Sequence, residues 1–265
     1  MTWFQAVVLA LIQGITEFLP VSSSAHLILV PVATGWTDQG LDFDVVVHAG
    51  TLVAIVAYFR VELAAMARDW LRSIAGGGET RDSRLAWWVV IGTLPAGVAG
   101  LFLKDDIAGF LRSPLLLAIG LIAFGILLGI ADWRCRGTRD EYSLTLRDVV
   151  VIGLAQALAL FPGTSRSGIT MTAALFLGLS RDAAARFSFL LAVPIIAAAT
   201  LFVAIDLIGS EVETAWGMLA LGFVLAAVSA YAVVHYFLAF IRRMGMQPFV
   251  AYRIGLGAIL LFVFY

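Results

Sequence analysis

Glu17, Ser23 and His26 fall within one polar interruption of an apolar chain, Gln13-Gly-Ile-Thr-Glu17-Phe-Leu-Pro20-Val-Ser22-Ser23-Ser24-Ala-His26. Ser, His and Glu are the components of a nucleophile, base and orienting group. His26 follows Ser23 by one helical turn, a spacing that brings the two within reach. A second interruption, Phe161-Pro162-Gly163-Thr164-Ser165-Arg166-Ser167-Gly168, offers hydroxyls, glycines and a guanidinium. Arg166 carries a planar donor fork suited to phosphate oxygens. With Pro20 placed on Pro162, both stretches read as an apolar helix end, a proline, a Ser/Thr cluster and another apolar helix. In this register Glu17 and His26 oppose Ala159 and Gly168, and Arg166 opposes Ser24. One copy would supply acid–base chemistry and the other an anion clamp.

A helix that restarts after a break presents unpaired N–H groups and a partial positive charge. Two such starts facing each other form an anion site, with Ser22–Ser24 and Thr164–Ser167 adding hydroxyls. The same Ser/Thr residues also suit plain helix capping, and Arg166 also suits a structural ion pair with Glu17. Gln13 and Glu17, four residues apart, share a helix face. Glu17 fits a divalent-cation ligand or a proton acceptor, and equally a transporter's proton relay. His48 is a supporting candidate, because it follows the first motif where Phe187-Ser-Phe-Leu-Leu-Ala-Val-Pro194 follows the second. His235 is expected to pack, and Gly76–Gly78 to form a loop tip without phosphate-loop context.

The elements that carry these residues belong to a membrane. Apolar residues are 62% of 265 positions, charged ones 13%, and mean hydropathy is +0.99, more apolar surface than a soluble core needs. A net charge of −1 gives no footing for nucleic acid. The lone Cys135 excludes an internal disulfide framework. The N-terminal segment lacks a basic n-region and a small-residue cleavage pattern, so it is expected to be a retained helix. Six stretches suit bilayer crossing: 43–59, 85–103, 115–133, 187–207, 215–241 and 249–265. Trp87, Trp88 and Trp133 suit interfacial belts.

Two more apolar stretches, 3–19 and 148–161, run into the motifs, and short followers, 24–35 and 168–179, leave them. The followers are too short to span, so each pair is expected to be re-entrant. That layout puts Arg60, Arg68, Arg72, Arg81, Arg84, Arg134, Arg136, Arg139, Arg147, Arg181, Arg186, Arg242, Arg243 and Arg253 on one side. Lys104 and Arg112 fall opposite, with Asp38, Asp42, Asp44, Asp206, Glu211 and Glu213. The positive-inside rule makes the arginine side cytoplasmic and both termini external. The expected fold is an all-α polytopic membrane protein: six transmembrane helices plus two re-entrant helix pairs in an inverted-topology repeat. A single domain covers 1–265, with halves near 1–133 and 147–265, an architecture familiar in transporters.

The residues Thr16-Glu17-Phe-Leu-Pro-Val-Ser-Ser-Ser-Ala-His26, Phe43…His48-Ala-Gly-Thr51 and Pro162-Gly-Thr-Ser-Arg-Ser-Gly168…Thr170 resemble the undecaprenyl-diphosphate phosphatase family, also called bacitracin-resistance proteins. The resemblance covers nearly the whole chain. It implies a bacterial inner-membrane enzyme that removes the terminal phosphate of undecaprenyl diphosphate for cell-wall synthesis, with its site open to the periplasm. It implies a divalent cation, Mg2+ or Ca2+, for which Glu17 is the candidate ligand. Many members carry Glu where this chain has Gln13, so a two-carboxylate metal site is incomplete here. The expected catalytic set is Glu17, Ser23, His26 and Arg166. Phosphate contacts are expected from Ser22, Thr164, Ser165, Arg166, Ser167, Gly168 and Thr170, with Gln13, Ser24 and His48 in support. A covalent phosphoserine at Ser23 and direct attack by water both remain open. Expected partners are the polyprenyl diphosphate, membrane lipids and a second copy in a homodimer, not nucleic acid. The rival is a lipid or solute transporter or flippase with a midplane anion site.

Overall fold

The structure, a computed structural model, describes residues 1–110, 113–135, 137–208 and 215–264. Side chains are not described at 41, 103–110 and 202–208. The expectations for Lys104, Arg112, Arg136, Asp206, Glu211 and Glu213 therefore lie outside it. The helices are α1 (Trp3–Thr16), α2 (Ser23–Thr34), α3 (Leu41–Tyr58), α4 (Arg60–Ile74), α5 (Arg81–Phe110), α6 (Pro114–Arg134), α7 (Leu146–Ala157), α8 (Arg166–Phe176), α9 (Arg181–Ile208), α10 (Trp216–Met244) and α11 (Gln247–Phe264). Among the described residues, extended pairing is limited to one isolated bridge, Arg139 with Leu179.

Among the described residues, five helices (α5, α6, α9, α10 and α11) are long and apolar enough to cross a membrane, and α3 with α4 makes a sixth if that bent pair is one span. Phe262 and Phe102 are 89% and 82% exposed on the outside of the bundle. Water does not tolerate a surface of such side chains, and lipid does. The chain is thus a multi-pass helical membrane protein.

One element expected as loop is helical. After α3 the chain turns by 82° into α4, where the sequence layout had placed an arginine loop. Met66 is buried there, Leu63 and Trp70 pack on the core, and Arg68 and Arg72 face outward. Apolar residues three and four apart with arginines between them make an amphipathic helix.

Each motif pair is a hairpin whose ends return together. The Phe4 ring in α1 meets Trp36, just past α2, edge-on at 6.1 Å. Arg139, before α7, donates to Asp148 in α7 at 2.6 Å and to the Leu177 carbonyl just past α8 at 2.9 Å. Trp3 of the first hairpin lies against Gly217 at the start of α10. The helix that follows the second hairpin, α9, starts beside the other end of α10, on an arginine-rich face. On that face Arg181 pairs with Asp132 at 2.5 Å, Arg242 with Asp182 at 2.8 Å, and Arg186 with both Glu141 and Glu62. These pairs join the ends of α6 and α10 to the starts of α4 and α9. Arg181, Arg186 and Arg242, which the sequence layout groups on one side, do lie together. Arg253, grouped with them, is instead fully buried inside the bundle.

The same sequence separation relates several local features of the two hairpins. Thr2 and Thr145 each form a capping box, Gln13 and Gln156 are each buried mid-hairpin, and Ser22 and Ser165 each stand at the residue before the second helix, where Ser165 alone uses its side chain as a cap. Ser22 and Ser165 are also the non-glycine residues with positive φ, +72° and +68°, among those described. This shifts the proline-based register by one residue, because two residues rather than one separate the proline from the cap in the second motif. Ser23, not Ser24, then corresponds to Arg166.

Close approaches hold the breaks in place. A Cβ at Gly120 in α6 would overlap the Pro162 carbonyl, so the missing side chain makes the notch that receives the second break. A Cβ at Gly14 would strike Ser229 of α10. In α9, Phe189 packs edge-on against Phe18 at 5.3 Å, a geometry worth about 0.5–1.5 kcal/mol beyond area burial.

Candidate active site

The two breaks meet at Glu17. The α1 ladder ends there, with the Glu17 N–H donating to the Gln13 carbonyl. Its side chain lies inside the protein at 8% exposure. Oε2 accepts from Ser23 Oγ at 2.7 Å and from Gln13 Nε2 at 2.9 Å. Oε1 accepts from Arg166 Nη2 at 3.2 Å, and His48 Nε2 lies 3.5 Å from Oε2. Ser23 and Arg166, the first residues of α2 and α8, therefore grip the two oxygens of one carboxylate. Ionised acceptors make such bonds stronger than neutral ones.

Neighbouring elements fix this geometry. Arg166 Nη1 donates to the Ser188 carbonyl in α9 at 3.1 Å, so its fork bridges α9 and Glu17. Ser167 Oγ donates across to the Leu19 carbonyl of the first break at 2.8 Å. Arg253 of α11 donates to the carbonyls of Pro20, Gly163, Thr164, Gly120 and Leu121 at 2.8–3.3 Å. A buried guanidinium with carbonyl partners satisfies polar groups that broken helices leave open. It fastens both tips to α6.

A cavity of about 370 Å³ opens beside this cluster, walled by Glu17, Ser22, Ser23, Ser24, Asp44, His48, Ser165 and Arg166. Its other side comes from Ile195, Ile196, Ala199 and Thr200 in α9 and from Val45 and Ala159, apolar apart from the Thr200 hydroxyl. No side chain caps α2. Its N–H groups thus begin at the cavity wall uncapped, an arrangement suited to an anion. The start of α8 differs, because Ser165 Oγ accepts from the Gly168 N–H at 3.1 Å.

The expected residues separate into wall and support. Ser22, Ser165 and Arg166 reach the cavity with Glu17, Ser23 and Ser24. Thr164, Ser167, Gly168 and Thr170 are buried behind it, outside its lining. Thr170 Oγ1 is engaged with the Arg166 carbonyl at 2.9 Å and Ser188 Oγ at 2.7 Å. The expected Arg166–Glu17 ion pair is present, and Arg166 still faces the cavity.

His26 is not assembled with Ser23. Its Nδ1 donates to the Ser22 carbonyl at 2.7 Å, and Nε2 meets the Tyr252 hydroxyl at 2.6 Å. A neutral imidazole that donates at Nδ1 accepts at Nε2, so the Tyr252 hydroxyl donates. The rings stack at 5.7 Å. The histidine at the carboxylate is His48. Its Nδ1 donates to the Asp44 carbonyl at 2.6 Å, which turns Nε2 toward Glu17. Asp44, Tyr252 and Arg253 were not singled out from the sequence. Asp44 and His48 share a helix face at the i, i+4 spacing, which was the available signal. Arg253 inside an apolar span was another.

As metal ligands, the residues fit only a sparse site. Among the described residues no three His, Cys, Asp or Glu side chains cluster closely enough to hold an ion. Gln13 supplies a hydrogen-bond donor to Glu17 where a second carboxylate would stand, and its Oε1 is buried without a partner. Glu17 and Asp44 on one cavity wall suit a hard cation whose remaining ligands come from phosphate oxygens and water.

Fold and site together define a multi-pass membrane protein whose two helix breaks place a hydroxyl, a carboxylate and a guanidinium on one buried cavity. The family described as Bacitracin resistance protein BacA matches residues 6–259. The chain is 56% identical to the undecaprenyl-diphosphatase of Nitrosococcus oceani over 100% of both chains. It is 57% identical to that of Hahella chejuensis over 98% of each. It is 51% identical to undecaprenyl-diphosphatase 1 of Pseudoalteromonas translucida over 97% of each. The chain belongs to the bacitracin resistance protein BacA family.

Proposed function

We propose that this chain is an undecaprenyl-diphosphatase, hydrolysing undecaprenyl diphosphate to undecaprenyl phosphate and inorganic phosphate and so recycling the carrier lipid for peptidoglycan synthesis. Membership of the family and the names of its full-length relatives support the activity. The observation that carries the mechanism is the shared carboxylate: Ser23 Oγ at 2.7 Å and Arg166 Nη2 at 3.2 Å from the two oxygens of Glu17, on a cavity wall.

The incoming terminal phosphate competes with Glu17 for the Arg166 fork. Hydroxyls of Ser22 and Ser165 and the open start of α2 receive its other oxygens. Ser23 Oγ forms the bond to the terminal phosphorus and gives its proton to Glu17. The bond from phosphorus to the bridging oxygen breaks, and undecaprenyl phosphate leaves with the electron pair. Water then attacks the phosphoserine, Glu17 returns its proton to Ser23 Oγ, and phosphate departs with both protons of the water. His48 holds Glu17 in register, as does Gln13. His26, tied to Ser22 and Tyr252, positions the strained turn before α2. Thr164, Ser167, Gly168 and Thr170 shape the second break. A divalent cation, Mg2+ or Ca2+, bound by Glu17 and Asp44 with the diphosphate would neutralise charge on the phosphate oxygens.

The hairpins are read as re-entrant pairs, giving six spans in an inverted repeat whose halves fall near 1–133 and 147–265. Contacts to opposite ends of α10, by Trp3 of the first hairpin and by the start of α9 after the second, and the matching capping boxes, glutamines and positive-φ serines support this. The arginine face is assigned to the cytoplasm. The cavity is walled by the first turns of α3 and the middle of α9, away from that face, which supports an opening to the periplasm across the bacterial inner membrane.

Phosphate release from undecaprenyl diphosphate by purified protein in detergent tests the activity. Release is expected with Mg2+ or Ca2+ and should be suppressed by chelation. Ser23→Ala is expected to lose at least about 10³-fold in kcat and to trap no phosphoserine. Retained turnover in Ser23→Ala would sink the covalent route in favour of direct water attack. No release by the wild type under any divalent cation would favour a transporter.

A further inference from the structure

A second cavity of about 560 Å³ lies between α5 and α9, with Leu160 of the second break in its wall. It shares Ile195 and Ala199 with the polar cavity, so the two spaces adjoin across one turn of α9. Among its lining residues the polar side chain is Thr93, whose hydroxyl donates to the Val89 carbonyl at 2.8 Å and is thereby spent within its own helix. Leu101 and Leu94 on its α5 side are 67% and 57% exposed, so the groove runs outward to the lipid-facing surface.

We propose that this groove receives the isoprene units of the substrate nearest the diphosphate, and that α5 and α9 thereby select for a polyprenyl tail. The inference rests on the diphosphatase reading. A lipid diphosphate whose terminal phosphate meets Ser23 and Arg166 must pass its hydrocarbon out of the polar cavity. The shared wall at Ile195 and Ala199 leads it into an apolar space rather than into water. The groove is wide because Gly97 and Gly100 lack side chains. A Cβ built at either position meets nothing within 4 Å, so packing within the protein does not account for these glycines.

The same fact makes the test clean. Gly97→Leu projects into the groove without an overlap at its Cβ. The ratio of kcat/KM for undecaprenyl diphosphate over isopentenyl diphosphate, whose five-carbon tail is too short to traverse the groove, is expected to fall at least about tenfold. Gly97→Ala should fall part of the way. An unchanged ratio, or equal loss on both substrates, overturns the proposal. A readout independent of turnover separates it from the activity itself. A polyprenyl phosphate with a diazirine in its first isoprene units should label α5 and α9 peptides of the wild type, and do so less in Gly97→Leu. Labelling confined to other helices, or displaced by ordinary phospholipid, overturns it even if phosphate release is normal. Absence of phosphate release together with α5 and α9 labelling would instead keep the groove and reject the diphosphatase reading.

Discussion

Glu17 organises the site because three elements deliver donors to one carboxylate. Its motif was legible in the sequence: a carboxylate, hydroxyls and an arginine at two helix breaks have few structural uses in an apolar chain. The histidine beside it, His48, was named only in support, because the Ser23–His26 spacing suggests a pair that the strained Ser22 turn holds apart. With φ at +72°, Ser22 aims its carbonyl at His26 and leaves Ser23 facing Glu17. Two outcomes follow. Arg166→Lys replaces a fork spanning Glu17 and the Ser188 carbonyl by a point charge that cannot bridge both. It is expected to reduce kcat/KM by about 10²–10³, the scale for losing one donor at a developing charge, with little change in unfolding temperature. His48→Gln and His26→Gln should differ in kind. The first loosens the carboxylate that Ser23 and Arg166 share and should lower the rate while leaving the unfolding temperature nearly unchanged. The second breaks the link from Ser22 through His26 to Tyr252 and should lower both, and loss of rate confined to His26→Gln would move the supporting role from His48 to His26.

At the scale of elements, the helix pairs were readable as interruptions followed by segments too short to span. What holds their tips together was not. Arg253 reads as one more basic residue near a loop, yet it is fully buried and donates to carbonyls from both breaks and from α6. A long-range contact of this kind leaves no local pattern in sequence, beyond the oddity of an arginine within an apolar helix. Arg253→Met would strand the Pro20, Gly163 and Thr164 carbonyls of the breaks in a dry interior, where each unpaired group costs about 1–3 kcal/mol. Net destabilisation of about 3–5 kcal/mol is expected, of the order seen when a buried charged partner is removed. Thermal unfolding in detergent should show it as a marked drop in midpoint, with activity lost in parallel. An unchanged midpoint would mean that the breaks are held by α6 and α9 packing alone.

For the whole molecule, hydropathy made the multi-pass helical bundle legible, and arginine placement supplies the expectation for its sides, because both are linear records of a bilayer's two chemical demands. Apolar length reports span, and arginine position reports side. The helix α4 escaped because its charge density resembles a loop, while its apolar residues form a stripe only once wound at helical period. The layout predicts opposite sides for two exposed positions: Asp38, beyond the first hairpin, and Glu79, between α4 and α5. Cys135 is the protein's own cysteine and lies near the arginine face, so Cys135→Ser provides the background. In intact cells a membrane-impermeant maleimide is expected to label Asp38→Cys and to leave Glu79→Cys unlabelled until the membrane is opened. Labelling of both before opening would place the hairpin and the arginine face on one side. The first hairpin and the second would then enter from the same leaflet, and the inverted relation between the acid–base break and the arginine break would be lost.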